Sequence, residues 1–137
     1  MRSRPLIWLT MALSLLLLSG CSADAPGTAF AELDLSRADA DSGAKLFQQS
    51  INAAPACAAC HSITGENSAL GNSLAGLAGA AGSRVAGQSA AEYLYWSIVQ
   101  PGRALVAGYS NIMYAGYADS LEAADLADLV AYLLTLS

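Results

Sequence analysis

The sequence predicts an all-α fold, and three observations carry that prediction. Leu126, Leu129, Val130 and Leu133 fall at i, i+3, i+4 and i+7, while Asp125, Asp128, Tyr132 and Thr135 share the opposite face. Two further segments have helical start and stop signals, one opening at Asp39 or Asp41 and one running from Ser89 to Pro101-Gly102. No stretch alternates apolar and polar residues as a half-buried strand does, and no repeat of about 20 to 50 residues is visible. At 137 residues and 55% hydrophobic, the chain has enough apolar material for one core and length for one domain with appendages.

In order along the chain, residues 1–20 read as a secretory signal. Arg2 and Arg4 precede an apolar run from Leu6 to Leu18. The run is shorter than the roughly 20 apolar residues that a membrane-spanning helix needs. It ends in Leu18-Ser19-Gly20-Cys21, similar to the lipobox of bacterial lipoproteins, where cleavage precedes the cysteine and the thiol takes a diacylglycerol. The other reading is an ordinary cleavage site beside an incidental cysteine. A lone exposed thiol is a liability in an oxidising compartment, which favours the lipid. Residues 21–38 contain Pro26, Gly27 and scattered acids without an apolar period, and read as a flexible tether.

The domain proper is expected over residues 39–137. Leu46, Phe47, Ser50 and Ile51 give a first helix of about three turns that continues until Pro55. Residues 68–87 are dominated by Gly, Ala and Ser, with Leu70, Leu74 and Leu77 as anchors, and read as loops with one short helical turn packed on something large and apolar. Ser89 and Glu92 have capping-box spacing before Tyr93, Leu94, Trp96 and Ile98. In the final helix Asp125 and Asp128 lie near the start, where the helix dipole favours carboxylates.

The charge excludes one class of function. Without the signal, Arg37, Lys45, Arg84 and Arg103 stand against eleven Asp and Glu, a net charge of −7. Phosphate neutralisation needs surplus Lys and Arg, so nucleic acid is not an expected partner. The same mature chain keeps one histidine, His61, and one methionine, Met113.

The stretch "PACAACHSITG" places Cys57, Cys60 and His61 within five positions. Thiols three positions apart followed at once by histidine suit covalent haem c, in which each thiol adds to a vinyl group and the imidazole binds iron from one face. Structural zinc wants four nitrogen or sulfur ligands, and the mature chain has no second histidine and no further cysteine pair. A thioredoxin-like dithiol normally sits in a βαβ setting, which this pattern lacks.

From about residue 39 to 136 the chain resembles a class I cytochrome c. Besides Cys57-Ala58-Ala59-Cys60-His61, the resemblance rests on Gly43 and Phe47 with Leu129 and Tyr132, which are similar to the family's crossed terminal helices, and on "LADLVAYLLTL" as the C-terminal helix. "GNSLAGLAG" resembles the segment after the haem motif, and "NIM" the loop that brings an axial methionine to iron. The resemblance implies a cytochrome c fold, with three main helices and loops wrapped around one covalently attached haem. It also implies His61 and Met113 as axial ligands. The donor inventory agrees, because Lys45 lies in the first helix and the amine of Cys21 is lost to acylation in a typical lipoprotein. Arg84 stands where the family often points a basic residue at a haem propionate; a solvated loop charge is the other reading. Tyr93, Tyr95 and Trp96 line the haem or belong to the plain core, and Tyr109, Tyr114 and Tyr117 shield the Met113 sulfur or fill the loop.

Two positions depart from the family pattern. Asn72 stands where the family usually has a proline whose carbonyl accepts the proton of the ligand histidine, and Tyr114 stands where proline often follows the methionine. A backbone carbonyl exists at any residue, so Asn72 can still orient His61. Without the second proline the Met113 loop is expected to be looser.

The function expected from these readings is a membrane-tethered, single-haem electron carrier on the extracytoplasmic face of a bacterium, not an enzyme. Its partners are redox proteins and, through Cys21, the membrane, with no small-molecule substrate. A haem-bearing subunit of a respiratory or photosynthetic complex is a close alternative. A gas-binding or sensing haem protein with an open sixth position is an alternative of a different class. Lacking a basic ring, the carrier is expected to dock through the Gly/Ala-rich surface near the haem edge.

Overall fold

A computed structural model describes residues 28–137; the expected signal, Cys21 and residues 22–27 lie outside the described residues. The helices are α1 (Thr28–Ala31), α2 (Ala40–Gln48), α3 (Leu77–Ala80), α4 (Ala90–Val99), α5 (Tyr117–Ser120) and α6 (Ala123–Leu133), with 3-10 turns at Leu35–Arg37, Cys57–Ala59 and Ala81–Ser83. Among the described residues β-pairing is limited to an isolated antiparallel bridge between Ile51 and Ala54. The expected all-α class is what forms, with α2, α4 and α6 as its long helices.

The crossing of α2 and α6 is the most extensive contact between elements. A β-carbon on Gly43 would overlap the Asp128 carbonyl and come within 2.8 Å of the Tyr132 Cβ, so glycine lets the two backbones touch. Beside that contact the Phe47 and Tyr132 rings lie 5.5 Å apart and tilted by 59°. Phe47, Leu129 and Val130 are buried there. The polar rim of the crossing is also tied: the Asp39 amide donates to Asp128 Oδ1 at 2.7 Å. Asp39 is the N-cap of α2, accepting from the Asp41 amide at 2.9 Å and the Ser42 hydroxyl at 3.1 Å. At the head of α6 the Glu122 amide donates to Asp125 Oδ2 at 3.2 Å, so a carboxylate serves where the dipole favours one.

Helix α2 stops at Gln48, earlier than its apolar spacing predicts. Ile51 and Ala54 exchange backbone bonds of 3.1 and 2.8 Å in a tight turn, with Asn52 in the left-handed region at φ 48°. The Asn52 side chain donates to the Ser120 carbonyl at 2.9 Å, which fixes that turn to the end of α5. A local side-chain bond to a distant backbone has no periodic signature.

Helix α4 begins at Ser89, whose hydroxyl accepts from the Glu92 amide at 3.1 Å. It is buried almost all round: Tyr93, Leu94, Tyr95, Trp96, Ile98 and Val99 are all in the core. A helix enclosed on every side has no polar face.

The tether expected over residues 21–38 is corrected for its second part. Residues 28–38 form α1 and a 3-10 turn, and Phe30, Leu33 and Leu35 pack against the core. The Phe30 ring lies 5.6 Å from that of Tyr95 on α4. Asp34 caps the 3-10 turn through the Ser36 amide and hydroxyl, at 3.1 and 2.6 Å. Three apolar residues spaced by acids give no helical or strand period, yet burial needs only that they reach a surface.

Candidate functional site

The site grows from the turn at Cys57–Ala59. The Cys57 carbonyl accepts from the amides of both Cys60, at 3.1 Å, and His61, at 2.9 Å, so one oxygen curls the motif into a single turn. Cys57 and Cys60 are both free thiols and half-buried. Burial pushes the Cys57 thiol up from its ordinary range.

His61 is oriented as the sequence anticipated. Its Nδ1 lies 2.9 Å from the Asn72 carbonyl oxygen. A carbonyl can only accept, so Nδ1 carries the hydrogen and Nε2 is the ring nitrogen left with a free lone pair. The loop that supplies this carbonyl is fastened to the motif. Ser68 Oγ donates to the Cys60 carbonyl at 2.8 Å and accepts from the Gly71 amide at 3.0 Å, and the Leu74 amide donates to the Ser62 carbonyl at 2.8 Å. A β-carbon on Gly71 would stand 2.7 Å from the Cys60 oxygen and 3.0 Å from the His61 ring, so this glycine leaves room for the imidazole.

A cleft opens in front of the motif. Its first part, about 990 Å³ including the open mouth, is lined by Cys57 and His61, by Phe47, Leu94, Ile98, Leu129 and Leu133 from the three long helices, and by the 101–113 loop as far as Met113. Its second part, about 690 Å³ including its open side, is lined by Pro55, Cys60, Tyr114 and Tyr117 and again by Cys57, His61 and Met113. The fold therefore brings Cys57, Cys60, His61 and Met113 to one cleft. Arg84 lines the first part and is the only Lys, Arg, Asp or Glu among the lining residues of either part. Cys21 lies outside the described residues.

The aromatic residues divide by role. Tyr93 lines the first part of the cleft, whereas Tyr95 and Trp96 do not line it and pack against each other edge-on at 4.9 Å. The Arg103 guanidinium sits 4.2 Å above the Trp96 ring. Tyr109, Tyr114 and Tyr117 all line the cleft beside Met113. Tyr117 is buried and its hydroxyl donates to the Pro55 carbonyl at 2.8 Å, two residues before the first thiol. Burial, before the nearby thiols, pushes its phenol up to about 12. The Tyr114 ring meets that of Tyr117 edge-on at 5.2 Å. Sequence reading overlooked the cleft's apolar lip, Leu105 and Ile112, because single apolar residues in a Gly-rich loop have no period to mark them.

A cavity of this size, walled by apolar side chains and presenting two thiols, an imidazole and a thioether, has the donor set of a covalently held haem. The family model described as Cytochrome c matches residues 40–137, from the first residue of α2 onward. The chain belongs to the cytochrome c family. Cytochromes c bind haem c covalently, so haem c is the cofactor, and family membership implies haem-based electron transfer with redox proteins as partners. No curated protein matches the chain.

Proposed function

We propose that this cytochrome c is a class I, single-haem electron carrier, with Cys57 and Cys60 as the thioether attachments, His61 and Met113 as axial ligands, and Arg84 as a propionate contact. The observation that carries this reading is the common lining of one cleft by both thiols' turn, Met113 and a His61 ring whose Nδ1 is held 2.9 Å from the Asn72 carbonyl. Haem c supplies one-electron exchange between ferric and ferrous iron, and methionine–histidine ligation raises its potential. The chain's own residues do the rest. The Asn72 carbonyl keeps Nε2 of His61 toward the cleft, the apolar walls exclude water, and Arg84 offsets negative charge at an otherwise uncharged lining.

The reading extends to the start of the chain. Residues 1–20 act as a lipoprotein signal and Cys21 is the lipidated N-terminus, which puts the carrier on the extracytoplasmic side of a bacterial envelope. Its support is the basic start, the apolar run and the Leu18-Ser19-Gly20-Cys21 sequence.

The deciding experiment is visible spectroscopy of the purified protein in both redox states, with acid-acetone extraction and intact mass. Colour that stays with the polypeptide, a low-spin ferric form with the weak red sulfur-iron band, and a mass above that of the bare chain from Cys21 are the expected results. Haem that extracts freely would remove the attachment. A ferrous form that binds carbon monoxide readily would move the function to gas binding, and an unmodified mass would remove the anchor.

A further inference from the structure

We propose that Tyr114 and Gly116 form a lock that holds the Met113 loop in place, supplying the stiffness that proline after the methionine would otherwise give. The inference rests on the reading of Met113 as an axial ligand and goes beyond it by naming what positions that ligand.

Gly116 carries the argument. Its φ of −92° is open to any residue, so the backbone there does not call for glycine. Space does. A β-carbon on Gly116 would stand 2.5 Å from the Tyr114 hydroxyl, 2.6 Å from Cζ and 2.9 Å from Cε1. The outer end of the Tyr114 ring therefore occupies the space that a side chain at 116 would take, two residues along its own loop. From that position its edge meets Tyr117, 5.2 Å away with the ring planes at 88°. Tyr117 is in turn bonded to the Pro55 carbonyl at 2.8 Å. A continuous path thus runs from the residue after Met113, through Tyr114 and Tyr117, to the strand of chain that enters the Cys57 turn. The two loops bearing the proposed ligands are fastened to each other by this path. Proline would stiffen the loop by restricting the chain; here a ring packed beside Gly116 and against Tyr117 does so. Tyr114 acts through Met113 and is a positioning residue.

The test uses the haem-loaded ferric protein and imidazole as a competing sixth ligand, read by loss of the red sulfur-iron band. Imidazole binds only when the Met113 loop opens, so its apparent affinity reports the open fraction. Tyr114→Ala should raise that affinity about tenfold, the effect of losing one good aromatic packing contact. Tyr114→Phe keeps the ring and should behave as wild type. Gly116→Ala should mimic Tyr114→Ala, because the new methyl displaces the ring. In a Tyr114→Ala background the same Gly116→Ala change should add nothing, since nothing is left to displace. That non-additivity separates a lock from general destabilisation, which would accumulate. If Met113→Ala abolishes the band but Tyr114→Ala leaves imidazole affinity unchanged, or if the two substitutions simply add, the lock is wrong and the ligand stands. If the wild-type protein has no red band, the ligand reading fails and the lock fails with it.

Discussion

At the scale of single residues, the hydroxyl of Tyr117 has a measurable task. It ties α5 to the Pro55 carbonyl at 2.8 Å in a buried setting. Tyr117→Phe should cost about 0.5–1.5 kcal/mol, the net worth of such a bond, read as a lower denaturation midpoint of the holoprotein. The pH dependence has a definite sign. Burial raises this phenol to about 12 in the folded chain, above its ordinary value near 10. The folded state then holds the proton more tightly than the unfolded one, so the contribution is complete below about pH 10 and lost as pH rises toward 12. The Phe variant should lack that alkaline loss, and one that keeps it would show that another group is responsible. His61 was the most legible residue in the sequence because its chemistry is written in adjacent letters. Its partner was legible only as a carbonyl, since the main-chain oxygen of Asn72 serves whatever the side chain.

Among the elements, α2 and α6 make a contact in which two effects oppose each other at one position. Ala is a better helix former than Gly by about 1 kcal/mol, so Gly43→Ala should stabilise an isolated helix. In the pair the added methyl meets the Asp128 carbonyl and the Tyr132 Cβ, and backbone cannot move aside as a flexible side chain can. Overpacking of that kind costs about 1–3 kcal/mol or more, so the clash wins. Thermal melting of the holoprotein should fall on Gly43→Ala; an unchanged or raised midpoint would mean that the helices do not approach this closely. This crossing was readable because α6 has a polar face to contrast with its apolar one. Helix α4 was readable by its Ser89 cap and Pro101 stop, yet the division of its aromatics was not. Tyr93 faces the cleft and Trp96 faces Arg103, and composition cannot tell two buried directions apart. The C-terminal end of α2 and the fold of residues 28–38 escaped for another reason, since long-range contacts decide them: Asn52 with Ser120, and Phe30 with Tyr95.

For the whole molecule, charge and apolar surface lie in different places. Residues 21–137 carry eleven acids against four basic residues, but no acid lines the cleft among the described residues. Its mouth bears Leu70, Leu105 and Ile112, more than half exposed at 57%, 53% and 58%, with Tyr114 beside them. A partner meeting this mouth gains contact with apolar surface and little from ion pairing. Electron-transfer rates measured from low to physiological salt should therefore change weakly, because screening acts on charges the contact does not use. A steep fall with ionic strength against a basic partner would move docking to the acidic surface. The Phe30 clasp on Tyr95 has a consequence of reach. On the reading that Cys21 is the lipid anchor, a tether running free to Asp39 would span about 60 Å when fully extended, whereas one gripped at Phe30 spans only about 30 Å. The clasp halves the leash. Tyr95 follows Tyr93 by two positions on a helix, about 200° around its axis, so Phe30 packs on the side of α4 turned away from the cleft. On that same reading, a carrier held so would sweep a shallow zone above the bilayer with its cleft directed outward. It would serve partners that stand within one protein diameter of the membrane, and Phe30→Ala would lengthen its range without touching the redox site.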